Sequence, residues 1–179
     1  MHSRALHILF TSLLSLTLLL AGALVHPKAA NAEEPMALLI PAIELAAPVV
    51  DVYLRDYPNG DRTWDIAHLT DQVGWMENTG TPGQPGKVGL VGHVEIDQQP
   101  SIFAELHGVE VGDMIYLIRN NVTYVYRVTV AQTVPPNAVG VLDPDSNGAE
   151  TLTLITCASY DPLTNTFTQR LIVSAVRVG

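Results

Sequence analysis

Polar and apolar residues alternate through Thr151-Leu152-Thr153-Leu154-Ile155-Thr156-Cys157, the period of a β-strand whose two faces meet different surroundings. Val122 to Val130 repeats that period, with Val122, Tyr124, Tyr126, Val128 and Val130 on one face and Thr123, Arg127 and Thr129 mostly on the other. Further strands are predicted over Ala37 to Leu45, Pro48 to Leu54, Lys87 to His93, Asp113 to Ile118 and Phe167 to Val178. Pro41 has no amide hydrogen to give to a ladder, so it belongs at an edge or a bulge. Helical spacing is sparse. Ile66, Leu69 and Val73 predict one or two helical turns within Asp65 to Met76, and Ser101 is placed to cap a short helix through Leu106 that Gly108 ends. Turns and loops fall at Pro58 to Asp61, Thr79 to Gly86, Asn120-Asn121, Pro135 to Gly148 and Ala158 to Thr166. About eight strands, two helical scraps and no strand-helix-strand rhythm make the fold class mainly β, a single small mixed or antiparallel β-barrel.

The front of the chain has a different pattern. Arg4 and two histidines precede Ile8 to Val25, a run of uncharged and mostly apolar residues, and Ala30-x-Ala32 follows. Residues 1–32 therefore read as a secretory signal peptide cut after Ala32, with an uncleaved signal anchor as the competing reading. Either way residues 33–179 form one domain outside the cytoplasm, secreted or held at the outer face of the membrane through the N-terminal segment alone. Cutting there lowers the basic count from 9 to 7 against 18 acids, a net charge near −11. Such a charge excludes nucleic acid and an anionic membrane surface as partners.

Composition then narrows the chemistry. A single cysteine, Cys157, rules out an internal disulfide and is a poor start for a zinc site. It is either a small buried hydrophobe or a nucleophile, and a nucleophile needs a histidine to share its proton and a donor for the oxyanion. His2, His7 and His26 belong to the leader; His68 and His107 sit where histidines are usually solvated or capping. His93 ends an apolar strand directly after Gly92, at a strand-to-loop junction where reactive groups are commonly presented, a satisfied core histidine being the bland alternative. Arg170 follows Cys157 by thirteen residues, a span that fits strand end, loop and return strand, so an antiparallel partner would set the two side by side. Arg127 and Arg177 are the other arginines able to line such a pair. Asp143, Asp145 and Asn147 have the donors of a calcium loop, but an acidic loop is more commonly just solvated; no metal and no cofactor is expected.

Three motifs, in order, resemble one family. Thr153-Leu154-Ile155-Thr156-Cys157 resembles the TLxTC motif of sortases, Gly92-His93 their histidine motif, and Gln169-Arg170-Leu171-Ile172-Val173 the strand that carries their essential arginine. Leu39 to Val49, the proline-glycine loop before His93, and Phe103-Ala104-Glu105-Leu106 with Gly112-Asp113 are similar too, so the resemblance runs from about Ala37 to Val178. Its look is nearest that of class D, E and F members. The resemblance implies a sortase-like β-barrel and a cysteine transpeptidase cutting an LPxTG-type sorting signal between threonine and glycine. It also implies His93, Cys157 and Arg170 as catalytic residues, protein substrates bearing a C-terminal sorting signal, and an amine acceptor of cell-wall or pilin type. Two thiol alternatives fit worse: L,D-transpeptidases carry their cysteine in a Ser-x-Gly-Cys setting, and papain-type proteases start a helix at theirs. A non-enzymatic adhesion or wall-binding barrel with a structural Cys157 is the remaining class.

Overall fold

The structure, a computed structural model, describes residues 36–145 and 148–179, apart from the side chain of Val139. The predicted leader, and Asn147 of the acidic loop, lie outside the described residues. Twelve strands occur among those described: β1 Met36–Ile40, β2 Leu45–Val52, β3 Leu54–Asp56, β4 Arg62–Trp64, β5 Val73–Met76, β6 Gly86–Val91, β7 Glu95–Ile96, β8 Gln99–Pro100, β9 Met114–Arg119, β10 Val122–Val134, β11 Glu150–Asp161 and β12 Thr166–Arg177. Eight of them close a barrel in the order β1-β2-β5-β6-β11-β12-β10-β9, while β3-β4 and β7-β8 are separate two-stranded ribbons. β2 with β5 and β6 with β11 run parallel and the other barrel pairs antiparallel, so the barrel is mixed.

Alternation along the wall sends Val88, Leu90, Leu152, Leu154, Val173 and Ala175 into the barrel, where they pack with Leu38, Leu117 and the fully buried Tyr126. The intervening residues of the same strands would ordinarily face water. Here Val91 and Ile155 instead join Val52, Leu69 and Met76 in a second cluster on the outer wall, with Trp64, Ile66 and Leu142 against it. Two apolar faces explain why β11 is buried at almost every position from Thr151 to Thr156. The outer cluster matters for function, because it is the layer on which the next residues along these strands are displayed.

Local expectations give way at five places. Residues 65–72 form turns and Val73–Met76 is strand, not helix. Asp65 Oδ1 accepts from the Ala67 amide at 3.3 Å and the Leu69 amide donates to Ile66 O at 3.0 Å, while Val73–Met76 gains ladders with both β2 and β6. Ser101 does not cap a helix: its hydroxyl donates to Thr70 O at 2.9 Å, and the 3-10 helix Ala104–Gly108 starts after Phe103 with no side-chain cap. Pro41 ends β1 by opening the 3-10 turn Pro41–Ile43, which closes on Glu44 at φ 54°. β10 runs on to Val134 with a bulge between Val128 and Val130, which is why Val130, on the apolar parity of the strand, is 38% exposed. The loop predicted over 158–166 shrinks to a tight turn, because β11 and β12 pair up to Asp161 and Thr166.

Candidate active site

β6 delivers His93 and β11 delivers Cys157, and two hydrogen bonds tie their ends. The Gly92 amide donates to Ile155 O at 3.2 Å, extending the parallel pairing of β6 with β11 by one residue. The buried Thr156 hydroxyl returns a bond to Gly92 O at 2.8 Å. The residue before the histidine is thus locked to the residue before the cysteine. A side chain at Gly92 would meet Phe103 Cδ2 at 2.7 Å, so only glycine lets this junction sit against the core.

The His93 ring is held as firmly. Nε2 lies 3.0 Å from Ile66 O, and that oxygen also accepts from the Leu69 amide. A carbonyl cannot donate, so Nε2 carries the hydrogen and Nδ1 is the nitrogen left for proton transfer. The turn bearing Ile66 is anchored by Asp65, whose carboxyl the Arg55 guanidinium at 2.8 Å and the Ala67 amide hold below the usual carboxylate range.

Cys157 and Arg170 are direct cross-strand partners in the β11·β12 ladder. Opposed residues of an antiparallel pair share a face, and parity with Ile155 and Ile172 puts both on the outer wall. Cys157 is a free, half-buried thiol. The Arg170 guanidinium donates to Gln169 O at 2.9 Å and makes no ion pair among the described residues, so no carboxylate there competes for its remaining N–H groups. His93, Cys157 and Arg170 line one open hollow of about 560 Å³.

The side chains around that hollow are not marked in the sequence. Its walls are the outer cluster, with Trp64, Ile66 and Met76 on one side and the 3-10 helix Val139–Leu142 with Val134 to Pro136 on the other. Trp64, Asn78 and Leu142 had no signal in their own neighbourhoods, since they arrive from segments far apart in sequence; Thr156 did have one, a polar residue inside an apolar strand beside the thiol. The remaining candidates go elsewhere. Arg177 donates to Glu150 Oε2 at 2.6 Å and stacks on the Tyr124 ring, Arg127 is exposed on β10, and His107 Nδ1 is 2.9 Å from Ala104 O. His68 is exposed and does not line the hollow. Asp145 pairs with Lys87 at 3.5 Å, and among the described residues no group of three or more His, Cys, Asp or Glu is placed to hold a metal. No helix among them is long and apolar enough to cross a membrane.

Comparison with known proteins agrees with this geometry. The sortase domain family matches residues 38–178. Sortase A of Staphylococcus aureus is 35% identical over 91 residues, 51% of this chain and 44% of that protein, so the match spans under half of the relative's length. A lid mutant of sortase A from Corynebacterium diphtheriae superposes with a TM-score of 0.67 at 26% identity, covering 86% of this chain and 74% of the other. Sortase C-1 from Actinomyces oris gives 0.65 at 26% identity, over 80% and 73%. A sortase A and a sortase C-1 thus share this fold. The chain belongs to the sortase family.

Proposed function

We propose that this chain is an exported transpeptidase that cleaves an LPxTG-like sorting signal between threonine and glycine and passes the acyl group to an amine or to water. The observation that carries the reading is the meeting of an imidazole, a thiol and a guanidinium, from three remote segments, in one hollow. A non-enzymatic barrel would need Cys157 sealed in the core, whereas it is half-buried and open to the hollow.

In the reaction, the Cys157 thiolate attacks the threonine carbonyl carbon and the carbonyl π electrons move to oxygen. Arg170, directly across the ladder, donates N–H groups to that oxyanion. His93, charged, gives the proton on Nδ1 to the departing glycine amine as the C–N bond breaks, leaving a thioester and a neutral imidazole. The incoming amine then loses its proton to Nδ1 as it attacks the thioester, and the thiolate leaves. The Ile66 carbonyl keeps Nε2–H engaged throughout, so one nitrogen serves both half-reactions. The apolar wall of Trp64, Ile66, Val91, Ile155 and Leu142 suits the leucine and proline of such a signal. The substrates in this reading are proteins with a C-terminal sorting signal, the acceptor is an amine of wall or pilin type, and residues 1–32 supply export.

The test is a quenched LPxTG-type peptide offered with an amine, with the Cys157 adduct read by mass. The expected result is a thioester on Cys157, no product from Cys157→Ala, and a fall in kcat/KM of about 10²- to 10³-fold for Arg170→Lys. Turnover surviving in Cys157→Ala, or no adduct with any sorting peptide, defeats the proposal.

A further inference from the structure

A second hollow, of about 290 Å³, lies on the same outer wall and shares Val141 and Ile172 with the reactive groove. Its floor is polar: Lys87 on β6, Thr151 and Ser174 on β11 and β12, and Thr129 and Gln132 on β10, with Asp145 at its edge. Lys87 is the only lysine in residues 36–179 of a chain rich in acids, and its side chain is only 12% exposed. An ammonium withdrawn that far from water needs a counter-charge, and Asp145 provides a loose one, 3.5 Å away and itself 43% exposed. Beside it, Thr151 is 4% exposed and its hydroxyl is the one buried side-chain polar atom without a hydrogen-bond partner among the described residues. A cation and an idle O–H donor, paired with each other across β6 and β11, make a place for a carboxylate.

The position says whose carboxylate. Thr151, Thr153, Ile155 and Cys157 stand in one row along β11, and Thr151 is six residues before the thiol, about 20 Å at strand rise. Between the two lies the apolar stretch of Ile155, Ile172 and Val141, the part of the groove suited to the leucine and proline on the acyl side of the cut bond. We propose that the Lys87–Thr151 hollow is a subsite for an acidic side chain, Asp or Glu, about six residues upstream of the scissile bond. This rests on the sorting-signal reading above. The ligand carboxylate displaces Asp145 from Lys87 and takes the Thr151 hydrogen bond.

Three peptides test it: one sorting sequence with neutral flanks, one with glutamate six residues upstream of the cut, and one with glutamate the same distance downstream. The upstream glutamate is expected to raise kcat/KM about five- to tenfold over the neutral peptide, and the downstream glutamate to leave it unchanged. In Lys87→Met and in the near-isosteric Thr151→Val, that ratio falls toward one. Equal rates for all three peptides, a gain from the downstream glutamate, or a ratio that persists in both variants overturns the subsite. Anisotropy binding of the same peptides to Cys157→Ala decides the matter without turnover. Glutamate-dependent binding there supports the subsite even if no peptide is cleaved, a result that would sink the reaction alone, and equal binding overturns it.

Discussion

Thr156→Val is the sharpest test of how the site is held together. Valine keeps the shape but removes the hydroxyl that reaches Gly92 O at 2.8 Å from a position only 3% exposed. Losing the bond costs about 1 kcal/mol, leaving the Gly92 carbonyl short of a partner adds about 1–3, and the extra buried methyl returns just under 1, for a net loss near 2 kcal/mol. For a domain of roughly 150 residues that corresponds to a fall in Tm of about 4–8 °C. The catalytic effect should exceed what stability implies, because this bond joins the backbone entering His93 to the strand entering Cys157, and small misplacements of reacting groups cost about tenfold to a hundredfold. Thermal unfolding and kcat/KM are measured together, with Thr156→Ser as the partner variant that keeps the hydroxyl and gives up a methyl. The expected order in kcat/KM is wild type, then Ser, then Val by a wide margin. A Thr156→Val enzyme equal to Thr156→Ser in both Tm and kcat/KM refutes the tether.

Three other outcomes follow from the coordinates. Gly89→Ala places a Cβ 2.9 Å from Thr79 Cγ2 and 3.0 Å from Leu142 Cδ2, pushing the groove wall outward. It should raise KM about three- to tenfold, with a smaller change in kcat and about 1–3 kcal/mol of lost stability; an unchanged KM argues against the wall's role. Nitrogen-15 NMR of the neutral His93 ring should show the hydrogen on Nε2, and a proton on Nδ1 would contradict the Ile66 contact. Burial, and then the 2.5 Å bond to Glu150 Oε1, push the Tyr126 phenol far above the ordinary phenol range. Above about pH 10 the unfolded chain therefore releases a proton that the folded one keeps. This contribution to stability is whole below that pH and is lost as pH rises toward the folded value, at about 1.4 kcal/mol per pH unit. Urea unfolding from pH 8 to 11 should show the decline in wild type and a flatter profile in Tyr126→Phe; identical profiles would refute it.

Much of the fold was legible because strand period is local. The alternation through Thr151 to Cys157, Val122 to Val128 and Phe167 to Arg177 marks the walls of the barrel, and the thirteen-residue span from Cys157 to Arg170 is a hairpin distance whose register the ladder realises with those two residues opposed. The lone cysteine, the glycine-preceded histidine and the hairpin arginine stand in the sequence as candidates, and the likeness to sortases, not spacing, joins them into one set. Where reading failed, the deciding partner was remote in sequence. Ile66, Leu69 and Val73 have helical spacing, yet Val73–Met76 is strand because β2 and β6 offer ladders on both sides. The period of Val122 to Val130 breaks at a bulge that the pattern does not mark.

The sequence by itself determined a mainly β chain with a single thiol, since strand period is local, and it offered His93 and Arg170 as candidates that the likeness to sortases, rather than spacing, joined to Cys157. Tertiary structure alone decided that the outer wall of that barrel is apolar and walled by Trp64, Ile66, Met76 and Leu142. It alone decided that a main-chain carbonyl fixes which ring nitrogen of His93 carries the hydrogen, and that Lys87 and Thr151 line a hollow beside the groove. Those features depend on several segments, among them β4, β6, β11 and the 3-10 helix Val139–Leu142, closing on one surface, and the free energy of that closure is spread over burial that no local pattern encodes.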